Sequence, residues 1–426
     1  MRLPRAASPL AHAPLRAYLA GNFASVVGTW GQRVVLLWLA WDITQSTFML
    51  GLMAMADLLP SVIVAPFAGS LVDRKDRLRL ARQLQVMSLA PPCMMLVATL
   101  TGLLNPAMLL AVATLTGVVN GFDHPVRMVV VGGIVPQPDV PGAVAMNSVV
   151  FNLARMLGPA VGGVTIALHA MWAIFIFNAV SYLIFALILS RLSRRRADSR
   201  SLSPEETGVA SARPETARTR APSRGEGEED GWSTVWRGLT RRHKVLLVLF
   251  AFLALCFRPI FELLPTFAES LALSDAMAAR AFSLMTSAQG AGAMIGAVVA
   301  SVLLSRGRHL TLALGFAVAG VLGCGGFLLS NFLWVALVAL TFLSGVILAN
   351  GICTQVVLQT EVPDQIRGKV LSLYTMIFRG LPALGAMSIG MIADTVSERK
   401  VFAIACLLVL AIVLVLSPVL RHEASK

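Results

Sequence analysis

The chain reads as an all-α membrane protein with twelve transmembrane helices arranged in two bundles of six. Three observations predict this. Of 426 residues, 57% are hydrophobic and only 13% charged, where a soluble domain carries about 25% charged residues. The mean hydropathy is +0.77. About a dozen apolar stretches each approach the roughly 20 residues that cross a bilayer as a helix, and one long polar insert divides them six and six.

The spans follow in order. The N-terminal bundle (15–192) holds 15–41, 47–72, 80–103, 106–130, 142–168 and 171–192. The C-terminal bundle (243–420) holds 243–268, 278–304, 310–330, 332–357, 368–393 and 399–420. Residues 1–14 and 421–426 are short tails. The first apolar stretch is long, carries Arg33 and lacks a small-residue cleavage site, so no cleavable signal peptide is expected. Residues 193–242 are rich in Arg, Glu, Ser, Pro and Gly, and such a segment buries too little apolar surface to fold, so a disordered cytoplasmic linker is expected. Near its end, Trp232 and Trp236 stand four apart, as on a short amphipathic helix at the membrane surface.

The net charge of +13 is distributed by loop. One set of loops carries Arg74, Lys75, Arg77, Arg79 and Arg82, then Arg191 to Arg196, Arg306, Arg308, Arg367 and Lys369. The opposite set carries only Arg280, Arg399 and Lys400. By the positive-inside rule, both termini and the linker are expected in the cytoplasm. The basic excess is therefore a topology signal, and no nucleic-acid partner is expected. Cys93, Cys256, Cys324, Cys353 and Cys406 fall within spans without metal-ligand spacing, as packing residues do.

The halves repeat each other. Aligning Pro136 with Pro363 sets Gly158 on Gly385 and Gly163 on Gly390 without a gap. Two similar six-helix units joined by a long loop form a parallel repeat, a plan suited to rocking about a site between the units.

The loop after the second span reads Gly69-Ser-Leu-Val-Asp73-Arg74-Lys-Asp76-Arg77. It resembles the G-x-x-x-D-R-x-x-R loop signature of the major facilitator superfamily, with Asp76 where that signature carries a second glycine. The resemblance implies the major facilitator fold and a gate at this end, with Gly69 for close helix approach. Asp73 would latch to a cation or helix N-terminus across the bundle interface, alongside Arg74 and Arg77. Arg127, towards the same end of the fourth span with Asp123 and His124, is the expected partner of Asp73.

The fifth span contains Gly158-Pro159-Ala-Val-Gly162-Gly163, preceded by Arg155. This is similar to the GPxxGG core of the motif that marks proton-coupled exporters, although Ala145 and Ala154 stand where that motif has glycines. Pro159 frees a carbonyl and bends the helix, and the glycines allow tight packing. The stretches GFDHPVRMVVVGGIVP (121–136), RPIFELLPTFAES (258–270) and EVPDQIRGKVLSLY (361–374) together resemble the transmembrane secretion effector branch, which includes siderophore exporters and macrolide efflux proteins. The likeness covers both bundles and implies export through the plasma membrane.

Ionisable residues inside spans are costly and mark candidate sites. Arg33 lies about 12 Å and Asp57 about 15 Å from the same membrane face, so they are expected to pair. Arg258 and Glu262 stand four apart in the seventh span and are expected to share a helix face. Arg155 and Arg379 fall near mid-membrane. Asp57 and Glu262 are the proton-carrier candidates, since burial favours a neutral carboxyl and a nearby guanidinium an ionised one. A structural role, each carboxylate simply neutralising an arginine, weighs equally. Arginine exceeds carboxylate in mid-span, and spare guanidinium groups suit an anionic or oxygen-rich substrate.

No Walker, H-E-x-x-H or G-x-S-x-G motif is present, so neither an ATP-driven pump nor an enzyme is expected. The reading is a proton-coupled exporter of a siderophore or similar anionic metabolite, working by alternating access, with small-molecule substrate, protons and lipid as partners. No cofactor or metal is expected. The alternatives are a multidrug or macrolide efflux pump, and a non-transporting accessory or sensor protein on a transporter scaffold.

Overall fold

The computed structural model describes residues 9–74, 76–201, 236–272, 274–304 and 309–424. Twelve helices in it are long and apolar enough to cross a membrane. In the first bundle they are α1 (Ala13–Thr44), α2 (Thr47–Arg74), α3 (Arg77–Thr101), α4 (Pro106–Gly132), α5 (Val140–Ala167) and α6 (Met171–Ser201). In the second they are α7 (Arg241–Phe261), α8 (Asp275–Leu304), α9 (His309–Leu328), α10 (Leu333–Glu361), α11 (Asp364–Ala393) and α12 (Glu398–Ala424). The sequence-based spans match these within a few residues, except that α6 runs nine residues past 192 and α7 stops seven short of 268.

Local chemistry sets the helix ends. Gln45 adopts the left-handed conformation with φ 49° and closes α1. Asn105 caps α4 through Met108 N–H, followed by Pro106 at the first helical position. Asp76 caps α3, its carboxylate accepting the Arg79 N–H at 2.8 Å. The residue that departs from the loop signature thus starts a helix. Pro91 and Pro92 follow a break in α3 at Ser88 and Leu89.

In α7, the regular helix stops at Cys256 and continues as a single 3₁₀ turn, Arg258–Phe261, before a short helix, Leu264–Ser270. Pro259 and Pro265 supply no backbone donor to a continuous helix. Arg258 and Glu262 therefore flank a tight turn instead of sharing a helix face, and no ion pair joins them. Trp236 is exposed beneath the Lys244 ammonium, 5.6 Å from the ring centre. Of the expected disordered linker 193–242, residues 193–201 instead continue α6 and 241–242 begin α7, while 202–235, with Trp232, lie outside the described residues.

The internal repeat has a packing counterpart. A Cβ on Gly158 of α5 would strike Trp30 of α1, and one on Gly385 of α11 would strike the Leu255 carbonyl of α7. Five residues further on, a Cβ on Gly163 would strike Ser283 of α8, and one on Gly390 the Thr47 carbonyl of α2. In each repeat, then, the first glycine packs the helix into its own bundle and the second packs it onto the other bundle. Close approach of this kind drives helix association in lipid.

Candidate functional site

A cavity of about 330 Å³ lies between the bundles. It is lined from α1, α2, α3, α4, α5, α6, α7 and α11, and it contains five guanidinium groups (Arg33, Arg127, Arg155, Arg258, Arg379) against three carboxylates (Asp57, Asp123, Glu262).

Arg33 organises its centre. The guanidinium Nε donates to Asp57 Oδ2 at 3.0 Å, and Nη2 donates to both Glu262 oxygens at 2.9 Å. Asp57 sits one helix away in the same bundle, whereas Glu262 comes from the turn after α7 in the other. The expected Arg33–Asp57 pair is present, and Glu262 joins it. An ion cluster with water largely excluded is held tightly only when all members stay paired.

Three other arginines have no carboxylate within ion-pair reach among the described residues. Arg155 lies over the Trp30 ring, 5.3 Å from its centre, and Arg33 lies 5.4 Å from the same ring. Arg258 sits 4.0 Å over Phe378. Arg379 lines the cavity without an aromatic seat.

Arg127, expected to partner Asp73, has four other polar side-chain partners among the described residues. It pairs with Asp123 one turn away and donates to Asn22 at 2.6 Å and to Ser25 and Gln85 at 3.0 Å. Gln85 in turn donates to Asp123 at 2.7 Å. The side chains of Gly69, Asp73 and Arg74 lie outside the described residues, and Arg77 is exposed at the start of α3. His124 meets Phe151 edge-on at 5.9 Å. Asn22, Ser25, Gln85, Trp30 and Phe378 were not candidates from sequence. The only signals available were polar residues within spans, and Trp30 lying three before Arg33.

In the exporter-like motif, Gly158 and Gly162 let α5 lie against Trp30 and Gly31 of α1, with Pro159 inside the helix. This contact sets Trp30, and hence the ring beneath Arg155.

One end of the cavity is sealed. Beyond the Arg33 cluster, away from the termini, Trp38 stacks on Phe282 with centres 5.7 Å apart, and Trp41 Nε1 donates to Glu269. At the rim, the Asp394 carboxylate accepts from Ser46 Oγ at 2.7 Å and from the N–H groups of Thr47 and Phe48 at 2.6 and 3.2 Å. A carboxylate from the end of α11 thereby caps the first turn of α2 across the bundle interface. A Cβ on Gly51 would strike Ala386 at the same crossing.

Two six-helix bundles around a charged cavity closed at one end define a membrane transporter. The chain belongs to the transmembrane secretion effector family, whose model matches residues 5–425, and it is a transporter of the major facilitator type. It is similar to the staphyloferrin A transporter of Staphylococcus aureus, with 23% identity over 172 residues, 40% of this chain and 43% of that one. It is also similar to the MFS-type transporter YfiS of Bacillus subtilis, with 26% identity over 203 residues, 46% of each chain. The matched segment spans less than half the length of either relative. Among solved structures, the nucleoside transporter NupG superposes with a TM-score of 0.69 at 14% identity, over 95% of this chain and 98% of that one. A bacterial homologue of the iron transporter ferroportin, in an inward-facing state, also gives 0.69, at 13% identity over 97% and 99%. At these identities the likeness is one of fold.

Proposed function

We propose that this protein exports an anionic small molecule, of the siderophore class, across the plasma membrane in exchange for protons. The carrying observation is the cavity's surplus of guanidinium groups, combined with an ion cluster that ties one bundle to the other through Arg33 and Glu262. The basic loops put the termini in the cytoplasm, so the sealed end faces outward. The relative named for staphyloferrin A is in line with this substrate class.

The coupling follows from electrostatics. While the outer end is shut, Arg33 is paired with both Asp57 and Glu262. Rocking the bundles apart at that end draws Glu262 away from Arg33. A carboxylate left without its cation in a poorly solvated site is more stable with a proton, which it takes from outside. Return to the closed arrangement brings Arg33 back and expels the proton inward. The substrate anion moves outward on the opposite half-cycle, held by the arginines the cluster does not use.

Everted membrane vesicles energised with lactate test this with a dye quenched by the pH gradient. The panel contains a catecholate siderophore, a hydroxamate siderophore, a macrolide and a lipophilic cation. The expected outcome is dequenching by a siderophore that disappears in the Asp57→Asn protein. Dequenching by the macrolide or the cation alone would move the chain to multidrug efflux. Silence across the panel, with protein in the membrane, would contradict proton-coupled export of these classes.

A further inference from the structure

We propose that Arg155 and Arg258 form a two-point clamp for a substrate carrying at least two oxyanion groups, one gripped by each bundle. This rests on the reading of the cavity as an anion site, but not on proton coupling.

A guanidinium stacked on a ring spends its flat face, while its five N–H donors lie in the plane and point outward. Arg155 has its guanidinium carbon over Trp30 and Arg258 over Phe378, at 5.3 and 4.0 Å from the ring centres. Among the described residues, neither makes a hydrogen bond or an ion pair. Each guanidinium is therefore seated at a ring with its fork of donors unspent, lining the same cavity. A planar fork with free donors matches a carboxylate, or a pair of neighbouring oxygens, bidentately.

The remaining arginines differ. Arg33 is taken by Asp57 and Glu262, and Arg127 by Asp123, Asn22, Ser25 and Gln85. Arg379 has no ring seat. Among the described residues, only Arg155 and Arg258 are both seated over a ring and unspent, and they come from different bundles: α5 in the first, the 3₁₀ turn of α7 in the second. Their like charges act on one another across the cavity, so an anion between them relieves repulsion as well as filling donors. A monoanion satisfies one fork and leaves the other. A dianion with its groups at the two ends satisfies both, and it joins the bundles through the substrate.

The test uses purified full-length protein in detergent and linear α,ω-dicarboxylates of graded length. Each is compared with its monomethyl ester, which has the same length and one charge, and a lipophilic cation serves as control. Ligand-induced thermal stabilisation gives the apparent affinity. Over a limited range of lengths, the diacid should bind at least about tenfold tighter than its monoester, a difference of about 1.4 kcal/mol. Arg155→Gln and Arg258→Gln should each erase that preference. Arg155→Lys and Arg258→Lys should keep part of it, since lysine retains charge but not the fork, and they show that the fold survives substitution. Equal binding of diacid and monoester by the wild-type protein would overturn the clamp and leave the anion reading standing. Stabilisation by the cation but not by any acid would overturn both. Retention of the preference in either glutamine variant, or no response to any acid, would overturn the clamp.

Discussion

The two bundles share a fold and a glycine framework but bury different chemistry. In the first, Asn22, Ser25, Gln85, Asp123 and Arg127 form a hydrogen-bonded network across α1, α3 and α4, and Gln32 and Asn178 pair at 2.7 Å. The core of the second is aromatic: Phe250 stacks on Tyr374 at 5.0 Å, and Phe267 meets Phe327 and Phe402 at 5.0 and 5.8 Å. Its buried carboxylate, Glu262, is directed at the first bundle. Duplication supplied two equivalent scaffolds, and the charge was then concentrated in one of them. The difference gives the first bundle most of the buried ion chemistry and the second an aromatic body that engages it through the carboxylates of Glu262, Glu269 and Asp394.

The largest effect that would break this comparison is at Arg33. Arg33→Gln leaves Asp57 and Glu262 buried without their cation, and breaking such a pair costs about 3–5 kcal/mol. Melting in detergent should fall sharply and transport should vanish. Adding Glu262→Gln to Arg33→Gln should restore much of the melting temperature, because the stranded charge is removed. A double variant no more stable than the single one would detach Glu262 from the cluster.

Next is the polar network. Arg127→Met strands Asp123 and strips a partner from Asn22, Ser25 and Gln85, with about 1–3 kcal/mol for each buried polar group left unsatisfied. In the second bundle, Phe250→Leu, which removes a ring from an aromatic stack, should cost about 1–2 kcal/mol in lost burial and ring contact. Equal losses of melting temperature would erase the distinction between the bundles.

A smaller effect is expected at the seal. Asp394→Ala removes a cross-bundle cap, which is worth about 1 kcal/mol and so shifts the open and closed populations by roughly fivefold. A cysteine introduced at Thr44 should react with a membrane-impermeant thiol reagent from outside correspondingly faster. An unchanged rate would mean that the cap does not hold the outer end shut. The smallest effect is at the arginine seat: Phe378→Leu should weaken anion binding by a few-fold, the loss of a cation–π contact of about 1 kcal/mol.

The fold was legible in sequence because each span is a predominantly apolar run of about 20 residues or more, and because the 227-residue offset set Gly158 on Gly385 and Gly163 on Gly390. Their equivalent contacts explain why small residues recur there. The Arg33–Asp57 pair was legible from depth alone, since adjacent helices at matched depth have little room to avoid each other. The pairing of Glu262 with Arg33 was not legible, because the helical count runs through Pro259 and Pro265, where the helix stops, and its partner lies in the other bundle. The partners of Arg127 come from α1 and α3 as well as α4, and no spacing within one helix reveals a network assembled across three. Trp30 and Phe378 looked like ordinary apolar lining, and only the guanidinium above each ring gives it a role.

The account turns on Glu262 handling protons while other groups hold the substrate. Purified protein in proteoliposomes separates the two. Counterflow of a labelled anionic substrate at equal pH needs binding and the rocking motion but no net proton transfer, whereas accumulation driven by an imposed pH gradient needs both. Glu262→Gln, a neutral side chain of nearly the same shape, should retain counterflow and lose gradient-driven accumulation. Accumulation by the glutamine variant equal to wild type would contradict the account, since the carboxylate that Arg33 claims and releases would then carry no proton.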